Sequence, residues 1–206
     1  MSPLGFATLG GLLIYLAAFA LLSRLAARAA GQSVWRLGRA EGRDRWSAWG
    51  FRLVFALAVL GPLVQVAVPV LREGDPIWRE ARGAGQVLPA CLLAVLGALL
   101  ALAGQIAMGA SWRVGVAAGA VGALVTAGPF EASRNPVFMG QFLLLGGVAL
   151  AVPSLPGLAA VLLFWLSARA QVQSEEHLPE ARHGEAWRAC AARVPRWPGL
   201  PRRSVA

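Results

Sequence analysis

The sequence predicts an all-α integral membrane protein with about five transmembrane helices. Of its 206 residues, 57% are hydrophobic and only 14% are charged, whereas a soluble domain usually has about 25% charged residues. The apolar residues lie in long blocks, a pattern typical of a chain that crosses the bilayer several times. This composition excludes an ordinary soluble globular domain.

Five apolar segments predict the spans. The first contains no charged residue and lacks the basic start of a signal peptide, so we expect a retained helix. Residues 135–168 are uncharged, and one helix of that length would extend about 51 Å, well beyond a hydrocarbon core of about 30 Å. The sequence Pro153-Ser154-Leu155-Pro156-Gly157 inside this run predicts a turn, and therefore a helical hairpin. The predicted spans are residues 3–23, 53–71, 87–108, 136–152 and 158–174.

The arginine content of the loops predicts the orientation. Residues 24–52 contain seven arginines, whereas residues 72–82 contain three, balanced by three acidic residues. Because cytoplasmic loops collect basic residues, we expect the amino terminus outside and the carboxyl terminus in the cytoplasm. The net charge of +9 is then explained by arginines in cytoplasmic loops that lie beside anionic lipid headgroups. Nucleic acid is therefore not an expected partner. Every basic residue is arginine, which suggests a GC-rich genome and a bacterial inner membrane and excludes Schiff-base lysine chemistry.

The chain is expected to form a single membrane domain, residues 1–206, with cytoplasmic site elements at 109–140 and 171–198. The segment 114–127 is apolar but too short to span, so we expect an interfacial segment or a hairpin. Pro179 predicts the start of an amphipathic carboxyl-terminal helix, which either lies on the membrane surface or covers the site. Three glutamines at membrane depth are expected to bond neighbouring helices: Gln65, Gln105 and Gln141.

The predicted hairpin has a consequence for chemistry. It leaves the cytoplasmic face after Arg134 and returns there before Glu175 and Glu176. An arginine binds a carboxylate, and a glutamate binds an ammonium group or a ribose diol. Aromatic side chains can cover an adenine ring, and three lie in these segments: Phe130, Phe138 and Trp187. These requirements fit S-adenosylmethionine and equally a nicotinamide dinucleotide, although no Rossmann fingerprint is present.

The same segments resemble a known family. Ser111-Trp112-Arg113, residues 124–130, residues 133–140 and Glu175-Glu176-His177-Leu178 with the basic, Trp-containing tail are similar to the isoprenylcysteine carboxyl methyltransferases. These are integral membrane enzymes that use S-adenosylmethionine and are related to the phospholipid methyltransferases. The resemblance covers residues 85–198. Phe138 stands where the family usually has tyrosine, and Trp187 stands where tyrosine is common.

The resemblance implies S-adenosylmethionine as cofactor and a lipophilic substrate that enters from the bilayer. It implies catalytic roles for Arg134, which would pair with a carboxylate, and for Glu175, which would orient Arg134 or act as a base. Glu176 would hold the ammonium group or the ribose of the cofactor. The implied cofactor-binding residues are Leu124, Val125, Gly128, Pro129, Phe130, Asn135, Pro136, Phe138, Gly140, Glu176, His177 and Leu178.

Two other functions remain open at the level of sequence. One is an NADPH-dependent membrane reductase of related architecture, and the other is a non-catalytic membrane subunit or transporter. The identity of the substrate, its accepting atom (oxygen, nitrogen or sulfur) and the oligomeric state also stay open. A metal site is not expected, because His177 and His183 are six residues apart, which is poor helical spacing for shared ligation.

Overall fold

A computed structural model describes residues 1–31, 33–34, 42–80, 86–113 and 122–197, and only the backbone of residues 42–45, 174, 175 and 177. Within these residues the secondary structure is helical, and no strand is present. The α-helices are α1 (Pro3–Ala29), α2 (Gly42–Ala67), α3 (Pro69–Gly74), α4 (Pro76–Glu80), α5 (Val87–Met108), α6 (Pro136–Ala151), α7 (Leu155–Glu175), α8 (His177–His183) and α9 (Glu185–Arg193).

Four helical segments are long and apolar enough to cross a membrane: Pro3–Ala29, Trp46–Ala67, Val87–Ser111 and Leu155–His183. The fifth predicted span, α6, is apolar but has only 16 residues, which corresponds to about 24 Å. The chain is therefore a multi-pass integral membrane protein with four long helices and one shorter one, and the predicted all-α fold class is confirmed.

Several helix boundaries differ from the prediction. α2 ends at Ala67, four residues before the predicted end, because Pro69 has no N–H to continue the helix and instead begins α3. α7 begins at Leu155 inside the predicted turn, since Ser154 Oγ accepts a hydrogen bond from the Gly157 N–H at 3.1 Å and caps the helix. The turn of the hairpin is correspondingly short.

The prediction of one carboxyl-terminal helix beginning at Pro179 is wrong. α8 begins at His177, and a separate α9 follows it. Gly184 joins them with a φ of +50°, a left-handed value that glycine adopts without a steric penalty. Of the predicted interfacial segment, residues 114–121 lie outside the described residues, and residues 122–127 have no regular secondary structure.

α5 and α6 pack with their backbones in close contact. A Cβ atom added to Gly140 would clash with the backbone of Ala101, and one added to Gly147 would clash with the backbone of Ala94. Small residues of this kind allow membrane helices to approach closely. α1 packs on α5, α2 packs on α7, and α1 and α2 make few contacts with each other.

Buried polar side chains fasten α1 to this core. Gln141 Nε2 donates to Tyr15 Oη at 2.8 Å, and Gln105 Nε2 donates to Ser23 Oγ at 2.9 Å. The expectation that both glutamines bond a neighbouring helix is confirmed. Gln65 differs, because it donates to Asp75, which lies between α3 and α4.

Asp75 joins three elements at the end of the bundle where the hairpin turns. Its carboxylate accepts hydrogen bonds from the backbone N–H of Ile77 and Trp78 in α4, from the N–H of Leu155 in α7, and from Gln65 in α2. Burial by itself would raise the pKa of Asp75, but these hydrogen bonds to the charged form outweigh it and lower the pKa below its ordinary value.

Candidate functional site between the hairpin ends and the carboxyl-terminal helices

The two ends of the α6–α7 hairpin meet. Arg134 lies just before α6 and Glu176 just after α7, and Arg134 Nη2 is 2.8 Å from Glu176 Oε1. The side chains are only 13% and 20% exposed, so the ion pair is shielded from water. The prediction that the hairpin brings Arg134 beside the acidic pair is confirmed for Glu176. The side chains of Glu175 and His177 lie outside the described residues.

Glu176 has a second cationic partner that the sequence did not reveal. Arg196 Nε donates to Glu176 Oε1 at 2.9 Å, and Arg196 Nη2 pairs with Glu176 Oε2. Both carboxylate oxygens therefore face guanidinium groups of this chain. Nothing in the sequence separates Arg196 from the other arginines of the tail, because the contact depends on how the tail folds back after α9.

Arg134 also holds the carboxyl-terminal segment in place. Its Nη1 donates to the carbonyls of Ala191 and Val194 at 3.1 and 3.2 Å, which satisfies carbonyl groups at the end of α9. Its guanidinium lies 5.4 Å from the centre of the Trp187 ring, in cation–π geometry. The Nε atom of Arg134 is buried and has no hydrogen-bond partner among the described residues.

Ser133 and Asn135 extend this connection on either side of Arg134. Ser133 Oγ donates to the carbonyl of Arg196 at 3.0 Å and accepts from the Asn135 N–H at 3.1 Å. Asn135 Nδ2 reaches the same carbonyl at 3.4 Å. Backbone and side-chain hydrogen bonds thus attach residues 133–135, just before α6, to the carboxyl-terminal segment.

A cavity of about 390 Å³ lies against this connection, within the range of small-molecule sites. Its wall includes eight of the predicted site residues: Leu124, Val125, Phe130, Arg134, Asn135, Pro136, Phe138 and Glu176. Four others do not line it: Gly128, Pro129, Gly140 and Leu178. Gly140 instead lies in the contact between α6 and α5.

The apolar side of the cavity comes from α1 and α2. Leu16, Phe19 and Ala20 of α1 and Phe51 and Phe55 of α2 line it. None of these residues is predicted from the sequence to belong to a site. Their i, i+3, i+4 spacing is that of any packed helical face, so the sequence gives no sign that this face borders a site.

Phe138 belongs to an aromatic cluster in the cavity wall. Its ring stacks on Phe51 with centroids 5.7 Å apart and lies 6.4 Å from the ring of Phe164. The residue that replaces the tyrosine of the resembled family therefore connects α6 to α2 and α7 through ring contacts.

The cavity wall also contains polar residues that were not predicted from the sequence to belong to the site: Arg52, Arg113, Gln171, His183 and Cys190. His183 Nε2 is 3.0 Å from the carbonyl oxygen of Gly122, which joins α8 to the segment before residue 128. Among the described residues, no group of three or more histidine, cysteine, aspartate or glutamate side chains is arranged to hold a metal ion.

Fold and site define a class: a multi-pass helical membrane protein whose cavity joins apolar helix faces to a buried Arg–Glu centre. Residues 86–184 match the sequence model of the phospholipid methyltransferase family. No curated protein and no solved structure matches the chain. As its description says, that family transfers methyl groups to phospholipids. The matched family, the phospholipid methyltransferases, is related to the isoprenylcysteine carboxyl methyltransferases that the motifs resemble.

Proposed function

We propose that this protein transfers the methyl group of S-adenosylmethionine to a lipophilic or lipid-attached substrate at the cytoplasmic face of a bacterial inner membrane. The observation that carries the proposal is the composition of the cavity wall. A single cavity contains the Arg134–Glu176 pair at one side and apolar residues of two membrane helices at the other. Such a wall suits one polar, charged ligand and one apolar ligand that meet inside it.

The residues present fit the cofactor. The buried Nε of Arg134, which has no partner in the described part of the chain, is a donor suited to a carboxylate or a ribose oxygen. Leu124, Val125 and Phe130 offer an apolar surface for the adenine ring, and Asn135, Pro136 and Phe138 continue that wall. When bound, S-adenosylmethionine supplies a methyl group that is already activated by its positively charged sulfur.

The protein's own task is alignment and exclusion of water. In our proposal Arg134 is a positioning residue, because its two Nη atoms are engaged by Glu176 and by carbonyls of the carboxyl-terminal segment. Glu176 keeps Arg134 and Arg196 in place, and through them keeps α9 against the cavity. Trp187 and Cys190 of α9 then close that side of the wall.

The lipophilic substrate is proposed to enter between α1 and α2. These helices make few contacts with each other, yet Ala20 of α1 and Phe55 of α2 both line the cavity. The opposite sides of the two helices expose large apolar residues such as Leu21 and Leu60, as expected for surfaces in contact with lipid. The gap between α1 and α2 is therefore the proposed route of an acyl chain from the bilayer to the cavity.

The distribution of arginines supports the proposed orientation. Arg52 lies within the first half of α2, Arg113 follows α5 and Arg134 precedes α6, and all three line the same cavity. Arginine-rich segments gathered at one side of a membrane protein favour the cytoplasmic side. The proposal therefore has the amino terminus outside and the carboxyl terminus inside.

Ligand-dependent thermal stability in detergent tests the proposal. S-adenosylhomocysteine at about 100 times its dissociation constant should stabilise the protein by about 2.7 kcal/mol, and NADPH should have no effect. Leu124→Trp, which fills the cavity, should reduce this stabilisation. Leu166→Trp should not, because Leu166 is 63% exposed and lies outside the cavity wall. Stabilisation by NADPH alone, or by neither ligand, would contradict the proposal.

A further inference from the structure

His183 occupies a distinctive position at the site. It is the last residue of α8 and lines the cavity, and its Nε2 atom lies 3.0 Å from the Gly122 carbonyl oxygen. Gly122 itself packs tightly against Ser111. A Cβ atom added to Gly122 would lie only 2.5 Å from Ser111 Oγ. The carbonyl that meets the imidazole is therefore held by close packing.

This hydrogen bond determines which imidazole nitrogen is basic. A carbonyl oxygen only accepts hydrogen bonds, so Nε2 must carry the proton. In the neutral ring Nδ1 then has the lone pair and can accept a proton. The protein thus presents a histidine of fixed tautomer at the cavity.

The other titratable residues of the described cavity wall are poor proton acceptors. The guanidinium groups stay protonated in proteins. A proton could reach Glu176 only by disrupting its pairing with Arg134 or Arg196, and Cys190 is a buried thiol. Apart from His183, the charged or titratable residues that line the cavity are Arg52, Arg113, Arg134, Glu176 and Cys190. On its own helix, Glu180 faces Arg188 at 4.0 Å, and Arg182 is exposed.

We propose that His183 Nδ1 is the base that removes a proton from the acceptor before methyl transfer. This rests on the proposed function. For a lipid ammonium acceptor, the N–H bond breaks, its proton goes to Nδ1, and the electron pair stays on nitrogen. That pair forms the new N–CH₃ bond while the C–S bond breaks and its electrons remain on sulfur, which leaves a neutral thioether. Imidazolium later releases the proton to water.

His183→Gln separates the base from the structural contact. Glutamine has an Nε2 donor at the same position along the side chain, so it can still bond the Gly122 carbonyl, but it has no basic nitrogen. The assay uses vesicles of phosphatidylethanolamine and phosphatidylcholine with radiolabelled S-adenosylmethionine. At pH 7 the variant should transfer methyl groups at least about 100-fold more slowly. Its stabilisation by S-adenosylhomocysteine should equal that of the unchanged protein.

Two further readouts distinguish a base from a purely structural residue. The rate of His183→Gln should rise with pH, because hydroxide replaces the missing base, and added imidazole should restore activity to His183→Ala. The chain has two histidines, so the nitrogen-15 signals lost in His183→Gln identify His183. At a pH high enough for the imidazole to be neutral, they should report a ring whose Nε2 carries the proton.

Three results would overturn this inference. The first is an unchanged transfer rate in His183→Gln, the second is a neutral His183 protonated at Nδ1, and the third is no transfer to phosphatidylethanolamine by protein that binds S-adenosylhomocysteine. All three leave the cofactor site of the proposed function intact. A protein that is not stabilised by S-adenosylhomocysteine would instead contradict the proposed function itself.

Discussion

Arg134 Nη2 and Glu176 Oε1 are 2.8 Å apart although 42 residues separate them in the chain. The intervening residues form α6, a short turn and α7, so the ion pair closes the open end of a helical hairpin. Glu176 also binds Arg196, and Arg134 binds carbonyls of the segment that leads to Arg196. One carboxylate therefore connects the hairpin to the carboxyl-terminal segment, whose helices α8 and α9 line the cavity.

Glu176→Gln should destabilise this connection and the binding of cofactor together. Glutamine retains one acceptor but leaves two partly buried guanidinium groups without a negative partner. We expect a loss of about 2 kcal/mol in stability and a more than tenfold weaker affinity for S-adenosylhomocysteine, about 1.4 kcal/mol. Thermal unfolding in detergent and equilibrium binding measure the two effects. An unchanged dissociation constant would remove Glu176 from the site.

Glu180→Gln is the matched control. Glu180 and Arg188 are 4.0 Å apart and 50% and 58% exposed, so solvent screens their attraction. Neither the unfolding temperature nor the affinity should change measurably. A loss equal to that of Glu176→Gln would mean that the effect is one of overall charge and not of the buried connection.

Asp75→Asn should destabilise the protein in a pH-dependent way. Because the folded protein lowers the pKa of Asp75, its ionised form stabilises the fold above the unfolded pKa of about 3.9. That stabilisation is lost as the pH falls through the folded pKa. The difference in unfolding temperature between the two proteins should therefore be large at pH 7 and shrink on acidification towards pH 3. Exposed Glu73 provides the control, and Glu73→Gln should change little.

The parts of the fold that follow from hydropathy could be predicted from the sequence. The long apolar runs predicted the helices, and the impossible length of residues 135–168 predicted the hairpin. The hairpin in turn predicted that Arg134 and Glu176 meet. These inferences succeeded because each depends on local composition and on the fixed rise of a helix per residue.

The remainder depends on contacts between elements that are distant in the chain. The cavity face of α1, the pairing of Arg196 with Glu176 and the return of the tail across Ser133 follow from how helices pack, and no local pattern encodes that. Gly140 shows the reverse case. Its place in the motif suggested a ligand contact, whereas its lack of a side chain serves the approach of α6 to α5.

Gly147→Ala tests the close packing of α5 and α6. The new methyl group would meet the backbone of Ala94, which cannot move without displacing α5, so we expect a loss of about 1–3 kcal/mol. Gly146→Ala is the control on the same helix, because nothing lies within 4 Å of the position of its Cβ atom. It should be neutral or stabilising by up to about 1 kcal/mol. Equal unfolding temperatures for the two variants would contradict the packing argument.

Ala20→Trp should obstruct the proposed entrance between α1 and α2. The indole ring would extend the apolar part of the cavity wall that Phe19 and Phe55 line. We expect an increase of about tenfold or more in the KM for the lipid substrate, and an unchanged dissociation constant for S-adenosylhomocysteine. Ala17→Trp adds the same ring to an exposed position outside the cavity wall and should leave both constants unchanged. If Ala20→Trp weakened cofactor binding and left the KM for lipid unaltered, the lipid would have to reach the cavity by another route.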